Sequence, residues 1–561
     1  MDGKTKAQIL LNQFSSVFTK PSSDPLPSVK PKFHSTISHI HVNENGVRKL
    51  LQGLNINKAV GPDNIPNRIL KECAEEITPA VKNIFQRSID SSELPDDWLN
   101  ANISPVFKKG NRHQAVNYRP VSLTPVLSKM LEHIICSNLH SHLQPNNILT
   151  SLNHGFRRGH SCETQLALTV NDLVTNLDKK NQTDVLILDF SKAFDTVPHE
   201  RLLLKLDAYG VQGQLHSWIR SFLCNRQMRV VIDGECSSKT HVVSGVPQGT
   251  VLGPLLFLCF INDLPDAVKS QIRLFADDCL LYRVIRTMRD HTILQEDLKA
   301  LEDWADTWGM RFNADKCYVL SVKQKTPRFY KLNNTTLKEV PSSMYLGVLL
   351  SNNLSFTAHI NMICGKASST LGFIRRNLQH TQAHLRRTAY IALVRSKLEY
   401  ACPVWDPYKQ YEVDMLEKVQ RQAARFISND YKSRTPGCVT EMLKSHNLPT
   451  LQTRRQEARL SLLYKISHGL LPSIPPEAYL TPIKNKRRIT ARSFNNFQHS
   501  NIVVRHQNNN TRGYIVPTAN TAEYKNSFFV RTVQEWNSLE DDTVCATSVE
   551  SFRTRLQTST N

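Results

Sequence analysis

No run of apolar residues in this chain approaches the roughly 20 that a membrane helix requires. The longest, Val251–Ile261, is interrupted by Gly253 and Pro254. The opening MDGKTKAQILLNQF lacks a long apolar stretch and a small-residue cleavage site, which argues against a secretory signal. No single basic amphipathic stretch stands out as a surface anchor, so no membrane partner is expected. Glycine (20) and proline (27) are not in excess and no fixed period recurs, which excludes collagen-like, elastic and solenoid architectures. The 12 cysteines are scattered from Cys73 to Cys545 without a CxxC pair or a Cys/His run at zinc spacing. They read as reduced, buried thiols rather than a disulfide framework or a zinc knuckle.

What is present is a chain of 561 residues, 40% hydrophobic and 8% aromatic, enough for a sizeable core. Seventy Lys and Arg against 49 Asp and Glu leave a net charge of +21, spread along the whole length. A polyanion partner accounts for this, because neutralising phosphates releases counterions; a merely solvated basic surface is the alternative.

Residues 1–20 carry Ile9, Leu10, Phe14, Val17 and Phe18 at helical spacing and are followed by a Pro/Ser-rich linker. We place a first unit, helix plus linker, at 1–44. From 45 to 350 helical patterns alternate with short apolar strands, the mark of an α+β or α/β catalytic core. Helices dominate 351–480. There Leu385, Ala389 and Leu393 form an apolar stripe, and Arg386 and Lys397, eleven residues apart, are expected to share a side. Residues 481–561 open with the basic run IKNKRR and end in a more regular unit around FFVRTVQEWNSL.

Four segments carry chemistry. In QIRLFADDCLLY, 271–282, two short strands are predicted to flank a tight turn with Asp277 and Asp278 at its tip; an Asp-rich turn in solvent is the plain alternative. In DVLILDFSKAFDTVPHERLLLKL, 184–206, an apolar strand ends at Asp189, Phe194 lies where the chain is turning, and Pro198 suits the first turn of a helix. In VVSGVPQGTVLGPLLFLCFINDLP, 242–265, Gly245, Gly249 and Gly253 permit close approach of a ligand before an apolar helix. Upstream, Asp233-Gly234 marks a hairpin turn. Lys108, Lys109 and Arg119 surround a connection between two strands and suit phosphate contact, or simple solvation. Together, three carboxylates on two strand-associated segments can hold two divalent cations about 3.5–4 Å apart. Phosphoryl transfer asks mainly for such positioning and charge neutralisation.

These blocks resemble the reverse transcriptases of non-LTR, LINE-type retrotransposons, most nearly the jockey/CR1-like group. The resemblance runs in order through KAVGPDNIPNRIL (58–70), NYRPVSL (117–123), GFRRGHSCETQL (155–166), LDFSKAFDTVPH (188–199), SGVPQGTVLGPLLFLCFINDL (244–264), FADD (275–278) and NADKC (313–317). It continues through YLGVLL (345–350), YACPVWDP (400–407) and FFVRTVQEWNSL (528–539). It implies a right-hand polymerase of the α+β class: fingers and a palm with an antiparallel sheet at 45–350, a helical thumb and connection at 351–480, and a mainly helical C-terminal region. The implied activity is RNA-directed DNA polymerisation: dNTPs extend a DNA primer on an RNA template with two Mg²⁺, or Mn²⁺ in their place. Asp189, Asp277 and Asp278 would be the metal ligands and Lys316 the donor of a proton to pyrophosphate. Lys108 and Arg119 would meet the triphosphate, Phe194 would exclude a ribose 2′-hydroxyl, and Gln248 and Gly249 would line the nucleotide site. Phe275 stands where Tyr is commoner, Cys317 replaces a hydroxyl residue, and NSLEDD lacks a proline. No RNase H motif is apparent, and the endonuclease that precedes this unit in full-length elements is expected to be missing, which would make a separate endonuclease a further partner. A non-catalytic nucleic-acid-binding relic or domesticated element protein is the competing expectation. The compartment stays open between nucleus and cytoplasm.

Overall fold

The computed structural model describes residues 2–20, 25–33, 35–483 and 510–559. The basic cluster Lys484–Arg488 therefore lies outside the described residues. In chain order the principal strands are β1 (Asn100–Phe107), β2 (Tyr118–Leu123), β3 (Gln182–Leu188), β4 (Gln227–Ile232), β5 (Glu235–Cys236), β6 (Thr240–His241), β7 (Gln271–Phe275), β8 (Asp278–Ile285) and β9 (Tyr318–Val322).

They build two mainly antiparallel sheets. The first runs β2-β1-β4-β5, with β6 also on β4, and contains one parallel pair, β1 with β4. Its β4–β5 hairpin turns at Asp233 and Gly234, both at positive φ (52° and 84°), as the sequence predicts. The second sheet places β3 at its centre, between β8 and β9, with β7 outside β8 and a two-residue strand, Lys338–Glu339, outside β9.

β3 is buried on both faces, and its two faces belong to different cores. Leu186 and Leu188 pack with Leu281 and Val319 against the helices His199–Ala208, Gly253–Ile261 and Met288–Trp308. Val185 packs with Leu280 and Leu320 against the helix Cys162–Asp178 and the helical second half of the chain. A strand sealed on both sides cannot slip by one residue without exchanging its two cores, so register is strongly fixed.

The N-terminal helix spans Gly3–Ser15 and buries Ala7, Leu10, Leu11 and Phe14 on Ala101, Ile103, Met228 and Val230 of the first sheet. Ile9, expected on that stripe, is exposed, and Val17 and Phe18 lie past the helix end. The end of the stretch that follows, from Lys32 on, is held to the core. Lys32 N donates to Ala208 O (2.8 Å) and Ile37 bridges Val211, while Ile40 and Val42 are buried in the core.

Beyond residue 350 the chain is helical, and here the sequence reading needs a correction. Leu385 and Leu393 are exposed (49% and 48%), and the buried row is Arg386, Tyr390, Val394 and Leu398. Arg386 sits over the Phe426 ring at 5.9 Å, whereas Lys397 faces out and reaches Thr370 Oγ1 at 2.5 Å. The two cations do not share a side. The cause is a π-helical stretch, Ile391–Arg395: one inserted residue turns everything after it by about 100°, so a four-residue spacing stays on one face and an eleven-residue spacing does not. The helix Phe528–Trp536 then docks on Leu451–Ser467 through buried ion pairs, Asp406 to Arg455 (2.6 Å) and Arg459 (2.8 Å), and Arg459 to Glu535 (3.0 Å).

Behind the second sheet Lys205 is fully buried. It donates to Asp263 Oδ1 (2.5 Å) and Phe260 O (2.6 Å), with its ammonium 3.5 Å from the centre of the Trp308 ring. Burial, opposed by Asp263, pulls its pKa down to about 8. Lys205→Met leaves Asp263 with a lost partner and is expected to cost about 3 kcal/mol in denaturant unfolding. Between about pH 8 and about pH 10.4 the unfolded lysine holds more proton than the folded one, so wild-type stability rises with pH there. The gap to Lys205→Met should widen across that window; a gap that narrows would refute the assignment.

Candidate active site

The sheet register brings the acidic side chains together. β7 and β8 pair up to Phe275↔Asp278, leaving Ala276-Asp277 as a two-residue turn, with Ala276 at φ 53°. On the other side of β8, β3 pairs Leu188 with Cys279, and the same register continued by one residue sets Asp189 against Asp278. The backbone of Asp189 is clamped from the segment that leads into β9: its carbonyl accepts from Asn313 N at 2.8 Å, and its N–H donates to the buried Cys317 sulfur at 3.4 Å. Cys317 thus does a hydrogen-bonding task that a hydroxyl residue would also do.

Burial, then the Asp189 charge, raises the Asp277 carboxyl above its usual range. Asp278 opens to solvent on one side, yet the chain packed on its other sides and the charges of Asp277 and Asp189 push its pKa up to about 6. Lys108 and Arg119 act against both shifts. The carboxylates sense one another electrostatically, but among the described residues no group of three or more His, Cys, Asp or Glu side chains is arranged to hold a metal ion unaided.

Cations ring the same point. Lys316 Nζ stands 3.5 Å from Asp189 Oδ2. Lys108 follows the end of β1, and Arg119 lies on β2 opposite Val106. Burial and then the positive charges of Arg119 and Lys316 lower the Lys108 pKa, while Asp189 opposes that shift. A cleft of about 560 Å³ is lined by Asp189, Asp277, Lys316, Lys108, Arg119, Phe194, Gln248 and Gly249; of the three carboxylates Asp278 is not part of its wall, and neither are Gly245 and Gly253. Lys109 also lines the cleft.

Phe194 lies flat on Phe257, ring centres 4.4 Å apart. The Gln248 side-chain amide donates to Asp195 Oδ1 at 2.9 Å, and the Gln248 backbone carbonyl accepts from Ser122 N at 2.8 Å. Gly249 has φ +100°, and a Cβ there would come within 2.7 Å of Ser122 O. Small size at 249 therefore serves the approach of β2, on a residue that also lines the cleft.

The segment that carries this arrangement is similar to known proteins. Residues 106–350 match the family described as reverse transcriptase (RNA-dependent DNA polymerase). Residues 106–350 are a reverse transcriptase domain. The chain is 30% identical over 370 residues to the RNA-directed DNA polymerase from mobile element jockey of Drosophila melanogaster, covering 64% of this chain and 39% of that protein. To the Probable RNA-directed DNA polymerase from transposon X-element of the same fly it is 28% identical over 386 residues, 66% of this chain and 42% of that protein. To the Probable RNA-directed DNA polymerase from transposon BS it is 25% identical over 501 residues, 86% and 54%. The chain thus spans about two-fifths to half the length of these curated relatives.

Sequence reasoning assigned no role to several residues that support the reverse transcriptase domain's carboxylates. Asn153, buried, accepts through Oδ1 from Ala276 N (3.0 Å) and from Gly155 N (3.0 Å), tying the acidic turn to the segment beside β7. Gly155 lies so close to that turn that a Cβ would stand 2.5 Å from Ala276 N. Gly155 opens the GFRRGHSCETQL block and was legible as a motif position; Asn153 carries no sequence signal. Asp195, half-buried and with its carboxyl raised above its usual range by desolvation, holds the Gln248 amide.

Two outcomes follow from the geometry. Asp278→Asn removes one of three repelling charges, so the metal-free thermal midpoint should hold or rise; a clear drop would show that the repulsion is not felt. Asn153→Ala leaves two backbone donors without a partner and should cost about 1–3 kcal/mol of unfolding free energy.

Proposed function

We propose that this protein is an RNA-directed DNA polymerase of the non-LTR retrotransposon type, adding dNTPs to a DNA primer 3′-hydroxyl on an RNA template. The observation that carries the reading is the meeting of Asp189 with the Asp277–Asp278 turn under a cluster of cations, inside a reverse transcriptase domain. We place fingers and palm at 45–350, the helical thumb and connection at 351–480 and a C-terminal region at 481–561.

The donor set fits a hard divalent cation: three carboxylates, two of them with pKa values raised partly by the negative charges beside them. Asp189, Asp277 and Asp278 would hold two Mg²⁺, or Mn²⁺. Such ions are bound by one or two carboxylates plus substrate phosphates and water, so a set that is not closed on its own suits them. When bound, they make the primer hydroxyl a better nucleophile and offset charge on the departing pyrophosphate. Lys108 and Arg119 would bind triphosphate oxygens, Arg119 as a planar fork and Lys108 as a point charge. Lys316 Nζ would give its proton to pyrophosphate. Phe194 would exclude a ribose 2′-hydroxyl, and Gln248, oriented by Asp195, would line the nucleotide site with Gly249.

Primer extension on an RNA template with Mg²⁺ tests the reading. Wild type should incorporate nucleotides, and Asp277→Ala should lose at least about a hundredfold, since loss of even an outer-shell metal partner costs about 10–100-fold. Salt-sensitive RNA binding should persist in Asp277→Ala, because the basic surface is untouched. Equal products from both proteins, or RNA binding without any incorporation by wild type, would overturn it.

A further inference from the structure

One aromatic side chain on the cleft wall stands where packing alone would not put it. Phe156 has φ +51°, a left-handed backbone that bulky residues seldom adopt, and it remains 52% exposed, so burial does not offset the strain. Strain of this kind persists only where the surroundings over-determine it. Here they do. Gly155 N donates to Asn153 Oδ1 at 3.0 Å, and Arg157 Nη1 donates to the Thr150 and Asn153 carbonyls at 2.5 and 3.3 Å. Gly155 itself is pressed against Ala276 of the acidic turn. The loop is fixed on both sides of Phe156, and the ring is pushed over the cleft, of which it forms part of the wall.

There it meets Phe194 edge to face, ring centres 6.0 Å apart and planes at 80°, a favourable aromatic pairing. Phe257 backs Phe194 in a flat stack, its plane 17° away. Phe194 is thus held by two rings, one from the buried helix Gly253–Ile261 and one from the strained loop.

We propose that Phe156 is a positioning residue for sugar discrimination: it braces Phe194, fixes how far that ring reaches toward a nucleotide's 2′ position, and so helps set the preference for deoxyribonucleoside over ribonucleoside triphosphates. The proposal rests on the reading of Phe194 as the group that excludes a 2′-hydroxyl. The strain at residue 156 is what keeps the brace in the cleft.

Single-nucleotide incorporation by the full chain, with a dNTP and the matching rNTP, tests it in four variants. Phe194→Ala should relax the dNTP/rNTP ratio of kcat/KM. Phe156→Gly, which accepts the backbone angle without strain, should lower that ratio by about tenfold, acting through KM for the rNTP and leaving kcat for the dNTP within about twofold. Its thermal midpoint should not fall below wild type. Phe156→Tyr keeps the ring and should keep the ratio. Should Phe156→Gly fail to fold, Phe156→Leu, which keeps bulk but loses the edge-to-face pairing, should show an intermediate drop. If Phe194→Ala relaxes the ratio and neither Phe156→Gly nor Phe156→Leu does, the brace is wrong while the role of Phe194 stands. If Phe194→Ala leaves the ratio unchanged, the role of Phe194 falls and the brace with it.

Discussion

Asp189, Asp277 and Asp278 repel one another, and the hydrogen-bonded register of β3, β7 and β8 keeps them in one place. The cost of gathering like charges is met by the sheet. A central strand sealed into two cores cannot slide, so repulsion at its end cannot be relieved by a shift in register. Lys108, Arg119 and Lys316 offset part of the repulsion from the side of the cleft where a triphosphate would lie. The site is held with its charges unbalanced, and unbalanced carboxylates are what a divalent cation binds.

Backbone contacts extend this rigidity outward. Asn153 links the acidic turn to the loop that carries Phe156. Gly249 lets the SGVPQG segment lie against β2, and Asp195 then fixes the Gln248 amide. Three segments distant in sequence thereby share one wall, and a change in any of them should be felt at the others. The N-terminal helix belongs to the same assembly: it covers the back of the first sheet, and Thr19 just beyond it hydrogen-bonds Ser244 (2.8 Å) and the Thr196 carbonyl (2.7 Å), both next to that wall.

The helical second half is organised by a different interaction. Asp406, in the YACPVWDP block, pairs with two buried arginines, and Glu535 of the FFVRTVQEW segment completes the network. Burying such charges is costly unless each finds a partner, so these distant blocks are structurally dependent on each other. Thr521 and Asn520 also donate to Asp178 at the end of the helix behind β3, which returns the end of the chain to the sheet that carries the carboxylates.

From residues alone, one could read the two strands around Asp277 and Asp278, the strand ending at Asp189, the Asp233-Gly234 turn and the ordered blocks that mark a reverse transcriptase, because alternation, turn chemistry and motif spacing are local properties. The side of the helix at 383–399 that turns inward was not readable: a π turn shifts the phase, and Arg386 is buried by Phe426 from another helix. Neither was the use of Gly249, since the atom it avoids belongs to Ser122 in a strand far upstream. Asn153 and Phe156 gain their roles only from what folds against them, Ala276 in one case and Phe194 in the other. Sequence determined which chemical groups were available and the local shape of each segment. Tertiary structure alone decided which of them meet, because a contact between residues a hundred positions apart depends on sheet register and helix phase, and these are set by the whole core at once.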